Sequence, residues 1–175
     1  TVLPQPERLV VIGDVHGDID AFRSCLNMAN LVDDQDRWAG GETVLVQLGD
    51  IFDRGDDDLA IEEWIHTLSH EARSAGGGLH SILGNHEARP PVLNAIGDHS
   101  MSTPEAFMKF NKLHPELEEQ VKNWKGPENI PEWARWRFLA MMPGGPIAKL
   151  MACHAVCMKV GDSLLVHGGL LPGHL

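Results

Sequence analysis

Apolar residues in this chain come in short runs that end at glycine, separated by stretches whose apolar positions fall at helical spacing. Leu9-Val10-Val11-Ile12 is one such run, stopped by Gly13, and reads as a buried strand. Ile19, Phe22, Leu26 and Ala29 follow at helical spacing, which predicts a helix over 18–31. A polar, glycine-bearing loop over 33–41 leads into a second apolar strand at 43–48. Leu59, Ile61, Trp64, Ile65 and Leu68 form the buried stripe of a longer helix that opens at Asp56-Asp57-Asp58 and runs to about Ala75. The acidic triplet reads as a solvated first turn that complements the helix dipole. Gly76-Gly77-Gly78 breaks this helix, and 79–83 is a third strand. Strand, helix, strand, helix, strand is an α/β order, and ligand sites in open α/β sheets gather at the carboxyl ends of strands.

The pattern changes at Pro90-Pro91. Helices are predicted over 104–125 and 131–142, with Trp124, Trp133 and Trp136 nearby, so 90–145 reads as a helical insertion that could cap a site. The tryptophans read as core more than as a substrate platform. From Ala155 the pattern is a hairpin: Val156–Val160, a Gly161-Asp162 turn, then Leu164–Val166.

At 175 residues with 43% hydrophobic positions, the chain is a single globular domain long enough for a core. No apolar run reaches the roughly 20 residues of a membrane span. The formal net charge of −11 disfavours nucleic acid and anionic membrane as partners. Cys25, Cys153 and Cys157 make no disulfide framework and read as core or idle thiols. The chain starts at Thr1 without Met. Targeting is therefore unread, and the expected compartment stays open between a chloroplast or other organelle and the cytoplasm.

Four short motifs carry the chemistry: Gly13-Asp14-Val15-His16-Gly17, Gly49-Asp50-Ile51-Phe52-Asp53-Arg54-Gly55, Gly84-Asn85-His86-Glu87 and His167-Gly168-Gly169. Each follows a predicted strand. Asp14 and His16 are two apart, so both can face one ion. Asp50 is a natural bridging carboxylate, while Asn85 offers an amide oxygen and His167 an imidazole to a second ion. A mixed oxygen and nitrogen set suits Mn, Fe or Zn better than Mg. Two bound cations would also reverse the local sign of an acidic chain. His66 and His70 sit four apart on the second helix and read as a solvated face.

The four motifs in this order resemble the signature of the metallophosphoesterases, and more closely that of the PPP protein phosphatases. Further stretches resemble the Shewanella-like branch: Arg37–Gly41, Val44–Asp58, Arg137–Ala140, Gly145–Ala148 and Val160–Pro172. Leu83 stands where classical PPP enzymes carry an arginine that the branch also lacks, whereas Ala88-Arg89 replaces the branch's usual Met-Asn. Asp53 differs from the alanine typical of dinucleoside-tetraphosphate hydrolases.

The resemblance implies a calcineurin-like β-sandwich flanked by helices, here truncated after the fourth motif. It implies two divalent metal ions, the first held by Asp14, His16 and Asp50, the second by Asp50, Asn85 and His167. His86 would be the general acid, Asp53 would orient it, and Arg54 together with Asn85 would bind the phosphate. The reaction implied is hydrolysis of a phosphomonoester on a phosphorylated protein or peptide by a water that the two ions activate. The family continues past the fourth motif with a further arginine and a further metal histidine. The chain is therefore expected either to be part of a longer polypeptide or to have a protein partner that covers the gap. An inactive phosphatase-fold subunit of a larger assembly and a nucleotide or polyphosphate phosphoesterase are the alternatives.

Overall fold

The structure is a computed structural model that describes residues 1–89, 109 and 114–174. Three parallel strands form its central sheet in the order β2 (Leu9–Ile12), β3 (Val44–Gln47), β4 (Gly78–Ser81). Leu9 pairs with Val44, and Val44 with Gly78. A second sheet has the order β1 (Val2–Leu3), β5 (Cys157–Val160), β6 (Ser163–Val166). In it β1 runs parallel to β5, and β5 and β6 form the antiparallel hairpin. A single parallel bridge, Ile82 to Ala155, joins the two sheets, with the Leu83 N–H donating to the Ala155 carbonyl at 2.7 Å.

Side-chain alternation explains why the central strands read as unbroken apolar runs. Leu45, Leu79, Val10 and Ile12 face helices α1 (Ile19–Met28) and α2 (Asp58–Ser74), in a core that includes Phe22, Leu26, Leu59, Ile61, Ile65 and Leu68. Val46, Val44 and Leu9 face the other way, against Met158, Val160 and Leu165 of the second sheet. A sheet covered on both faces leaves no polar face to alternate with. The layers are therefore helices, parallel sheet and second sheet, which is the expected sandwich flanked by helices.

Helix ends follow local rules. The Asp18 side chain caps α1 by accepting the Ala21 N–H at 2.9 Å. Both helices end in paired closing bonds: Leu31 N–H to Leu26 O and Asn30 N–H to Asn27 O for α1, Gly77 N–H to Ala72 O and Gly76 N–H to Arg73 O for α2. Each needs a left-handed residue, supplied by Asn30 (φ 50°) and Gly76 (φ 85°). This shortens α1 to Met28 where the spacing had run it to residue 31.

Within the expected 90–145 insertion, residues 90–108 and 110–113 lie outside the described residues. The remainder contributes α3 (Glu118–Lys122) and α4 (Arg135–Met141). Trp124 and Trp133 pack with Ile130, Ala134 and Phe138, which is the core role expected of them. A further helix, α5 (Pro146–Met151), packs on α4 and was not anticipated from the pattern. The expected solvated triplet at the start of α2 needs correction: Asp58 is buried, for a reason that lies in the site.

Leu68→Ala removes a fully buried side chain of α2 facing the sheet. We expect it to lower unfolding stability by about 2–5 kcal/mol. Met28→Ala, at an exposed position, should change stability little. Urea unfolding of both variants checks this.

Candidate active site

All four motifs follow the carboxyl ends of strands, and backbone hydrogen bonds lace them together. Val15 and His16 N–H both donate to the Asp50 carbonyl, at 3.0 and 2.9 Å, and Gly17 N–H donates to Ile51 O at 2.8 Å. Gly55 N–H returns to His16 O at 2.8 Å. The two backbones are so close that a Cβ on Gly17 would stand 2.7 Å from the Gly55 carbonyl carbon, so glycine is required at this crossing. Gly17 also has φ 70°.

The third motif is tied to the second by a carboxylate. Glu87 is buried, and its two oxygens accept four backbone N–H groups. Oε2 takes Asp50 at 2.8 Å and Gly84 at 2.7 Å, and Oε1 takes Ile51 at 2.8 Å and Phe52 at 3.2 Å. In return the His86 N–H donates to Asp50 Oδ1 at 2.9 Å. This clasp holds Asp50 (φ 54°), Asp53 (φ 68°) and Arg54 (φ 74°) in the left-handed region, where residues with a Cβ rarely sit. Such strain persists where surrounding contacts over-determine it, and it clusters at functional sites.

Asp50 Oδ2 is the hub of the side-chain arrangement. It lies 3.8 Å from His16 Nε2, 3.9 Å from His86 Nε2 and 3.4 Å from His167 Nε2. Asp14 Oδ2 is 3.6 Å from His16 Nε2, and Asp14 Oδ1 is 3.9 Å from His167 Nδ1. Asn85 Oδ1 stands 3.0 Å from His167 Nε2. The sequence-derived residues Asp14, His16, Asp50, Asn85, His86 and His167 are thus brought into one cluster. Among them, His16, Asp50 and His86 form one potential ligand group, and Asp14, Asp50 and His167 another.

Two observations show that these residues fit cations. His16 Nδ1 is 3.1 Å from the Phe52 carbonyl, so that nitrogen carries the proton and Nε2 turns a lone pair to the cluster. That Nε2 is buried with no hydrogen-bond partner among the described residues. His167 repeats the arrangement, with Nδ1 at 2.8 Å from the Leu48 carbonyl. Its Nε2 lone pair then faces the Asn85 and Asp50 oxygens, and such a cluster of acceptors is what a divalent ion binds.

Asp53 and His86 form a buried pair, with Asp53 Oδ2 2.8 Å from His86 Nδ1. Arg89 lies over both, its Nη1 donating to Asp53 Oδ2 at 3.3 Å and its Nη2 3.2 Å from His86 Nε2. Arg54 is exposed and makes no ion pair among the described residues. Sequence reasoning gave no role to Glu87, Arg89, Arg137 or Asp58. Glu87 stands inside a quoted motif, which was the available signal. Arg137 and Asp58 lie in stretches that carry the resemblance, and Arg89 follows the third motif, but no local spacing pairs them with Asp53.

Residues 7–173 match the family described as calcineurin-like phosphoesterase. The chain is 37% identical to Shewanella-like protein phosphatase 2 of Arabidopsis thaliana, covering 100% of this chain and 49% of that protein. It is 30% identical to Shewanella-like protein phosphatase 1 of Plasmodium berghei, covering 93% of this chain and 39% of that protein. Its fold matches the cold-active protein-tyrosine phosphatase of a psychrophilic Shewanella species with TM-score 0.62 and 25% identity, over 98% of this chain and 45% of that one. The chain therefore spans about half the length of the relatives it matches.

Glu87→Gln replaces an acceptor oxygen with a donor that faces backbone N–H groups. We expect a loss of about 3 kcal/mol in unfolding stability, with lowered metal uptake. Denaturant unfolding with elemental analysis of the same samples checks this, and a variant as stable as the parent would contradict the clasp.

Proposed function

Because the chain belongs to the calcineurin-like phosphoesterase family, we propose that it carries the catalytic centre of a metal-dependent phosphoprotein phosphatase. One observation carries the reading: Asp50 Oδ2 lies within 4 Å of an imidazole nitrogen from each of the three other motifs. A carboxylate so placed suits the bridge between two divalent ions.

Asp14, His16 and Asp50 would hold the first ion, and Asp50, Asn85 and His167 the second, with Mn, Fe and Zn the metals that suit the mixed donors. Bound ions supply the Lewis acidity that a phosphoryl group and an attacking water need. The chain's own residues do the rest. Asp53 accepts from His86 Nδ1, which leaves Nε2 as the atom that gives a proton to the departing oxygen. In the arrangement described, Arg89 Nη2 lies 3.2 Å from Nε2 and occupies that nitrogen. As a proton donor, His86 must be charged at Nε2, and Arg89 must then withdraw from it. Arg54, exposed and next in sequence to Asp53, would provide a planar fork for phosphate oxygens. The relatives are named protein phosphatases, which supports a phosphorylated protein or peptide as substrate. A protein surface that covers Val11 and Leu164, apolar and half exposed on the sheets, is the further partner we propose.

The test is hydrolysis of phosphopeptides by the full-length protein with added Mn²⁺, expected to vanish on chelation and return with metal. Asp50→Asn should lower turnover and metal content together. His86→Asn should keep its metal while kcat falls about 10²-fold or more. Undiminished metal in Asp50→Asn would overturn the ligand assignment, and an inactive, metal-loaded parent would overturn the enzymatic reading.

A further inference from the structure

Arg137 comes from α4, 84 residues along the chain from Asp53, yet its guanidinium spans two carboxylates at the site. Nη2 donates to Asp53 Oδ1 at 2.9 Å and Nη1 donates to Asp58 Oδ2 at 2.6 Å. All three side chains are buried, with relative exposures of 3% for Arg137, 1% for Asp53 and 4% for Asp58. The guanidinium also lies 5.7 Å from the centre of the Phe52 ring, inside the second motif.

We infer that Arg137 is a positioning residue for the Asp53–His86 pair, acting through Asp53 and braced by Asp58. The inference rests on the phosphatase reading above. A carboxylate on a short side chain can turn about its terminal bond. Arg137 takes Oδ1, which commits Oδ2 to His86 Nδ1 at 2.8 Å. Asp58 fixes the same residue by a second route, since its Oδ2 also accepts the Asp53 N–H at 3.4 Å. Asp58 is held in turn by the Leu59 N–H at 2.7 Å on Oδ1, at the first turn of α2.

Charge counting gives the same result. Asp53 and Asp58 place two negative charges in a buried region, and an isolated buried charge is costly. Arg89 and Arg137 bring two positive charges to offset them. Arg89 touches the imidazole itself, whereas Arg137 donates to the carboxylates of Asp53 and Asp58. Arg137 therefore sets the orientation of the pair from the side away from the imidazole nitrogen that would exchange the proton. Lysine cannot replace it fully, because a single ammonium lacks the planar fork that reaches two carboxylates at once.

The test compares Arg137→Lys and Arg137→Met in the full-length protein, reading kcat, KM, metal content and the ¹⁵N-linked proton signal of the His86 ring in the Zn²⁺-loaded form. Arg137→Lys should keep its metal and its fold, lower kcat about 10–100-fold with KM within about threefold, and shift or broaden the His86 Nδ1–H signal. Arg137→Met should show the larger loss, with lysine giving partial rescue. Unchanged kcat per folded, metal-loaded molecule together with an unmoved His86 signal would overturn the inference. Because the ring signal is read without turnover, it decides this point even if the parent proves inactive and the phosphatase reading fails.

Discussion

One buried carboxylate organises the whole site. Glu87 receives four backbone N–H groups from two separate loops, and no other group among the described residues is placed to satisfy them together. A carboxylate that accepts several N–H groups forms strong, charge-assisted bonds. The same N–H groups left bare in the interior would each cost free energy. The loop after β3 can thus turn sharply without orphaning its donors. That turn presents Asp50 to the three histidines. The motif carries its glutamate for architecture, while the two residues before it, Asn85 and His86, face His167 and Asp50.

Strain and support are matched across the site. His16, Asp50, Asp53 and Arg54 all hold positive φ, at a cost on the order of 1–3 kcal/mol for each such residue. The offsetting bonds come from elsewhere in the chain: Glu87 for the Asp50 to Phe52 stretch, the Asp50 carbonyl for His16, and Asp58 for the Asp53 N–H. The four strained residues belong to the first two motifs, and their support comes from a different loop or from the start of α2. This division lets the reactive side chains point inward from a backbone that would not adopt its path alone.

The electrostatics follow from the same economy of space. An acidic chain gathers Asp14 and Asp50 beside three imidazoles, a cluster suited to cations. One turn away, Asp53 and Asp58 are neutralised by arginines from within the chain. Two carboxylate groups so close would repel each other if both lacked counter-charges. Asp14 and Asp50 thus face imidazoles, while Asp53 and Asp58 are compensated by arginines of the chain.

Much of this was legible along the chain. The apolar runs at 9–12 and 44–47 and the stripe Leu59, Ile61, Ile65 and Leu68 are local patterns, and local spacing decides strand and helix. The four motifs each follow a strand, so their meeting at one edge was also readable from order alone. The two-residue strand β1 was not, because it exists only by pairing with β5 more than 150 residues later. Asp58 looked like a solvated helix start because acidic first turns usually are. Its burial depends on Arg137, whose partner no spacing rule connects. The sequence by itself determined the elements, the cation-binding residue types and their convergence. The tertiary structure alone decided which polar groups are buried and with whom, because hydrogen bonds and ion pairs between distant residues are set by packing rather than by neighbours in the chain.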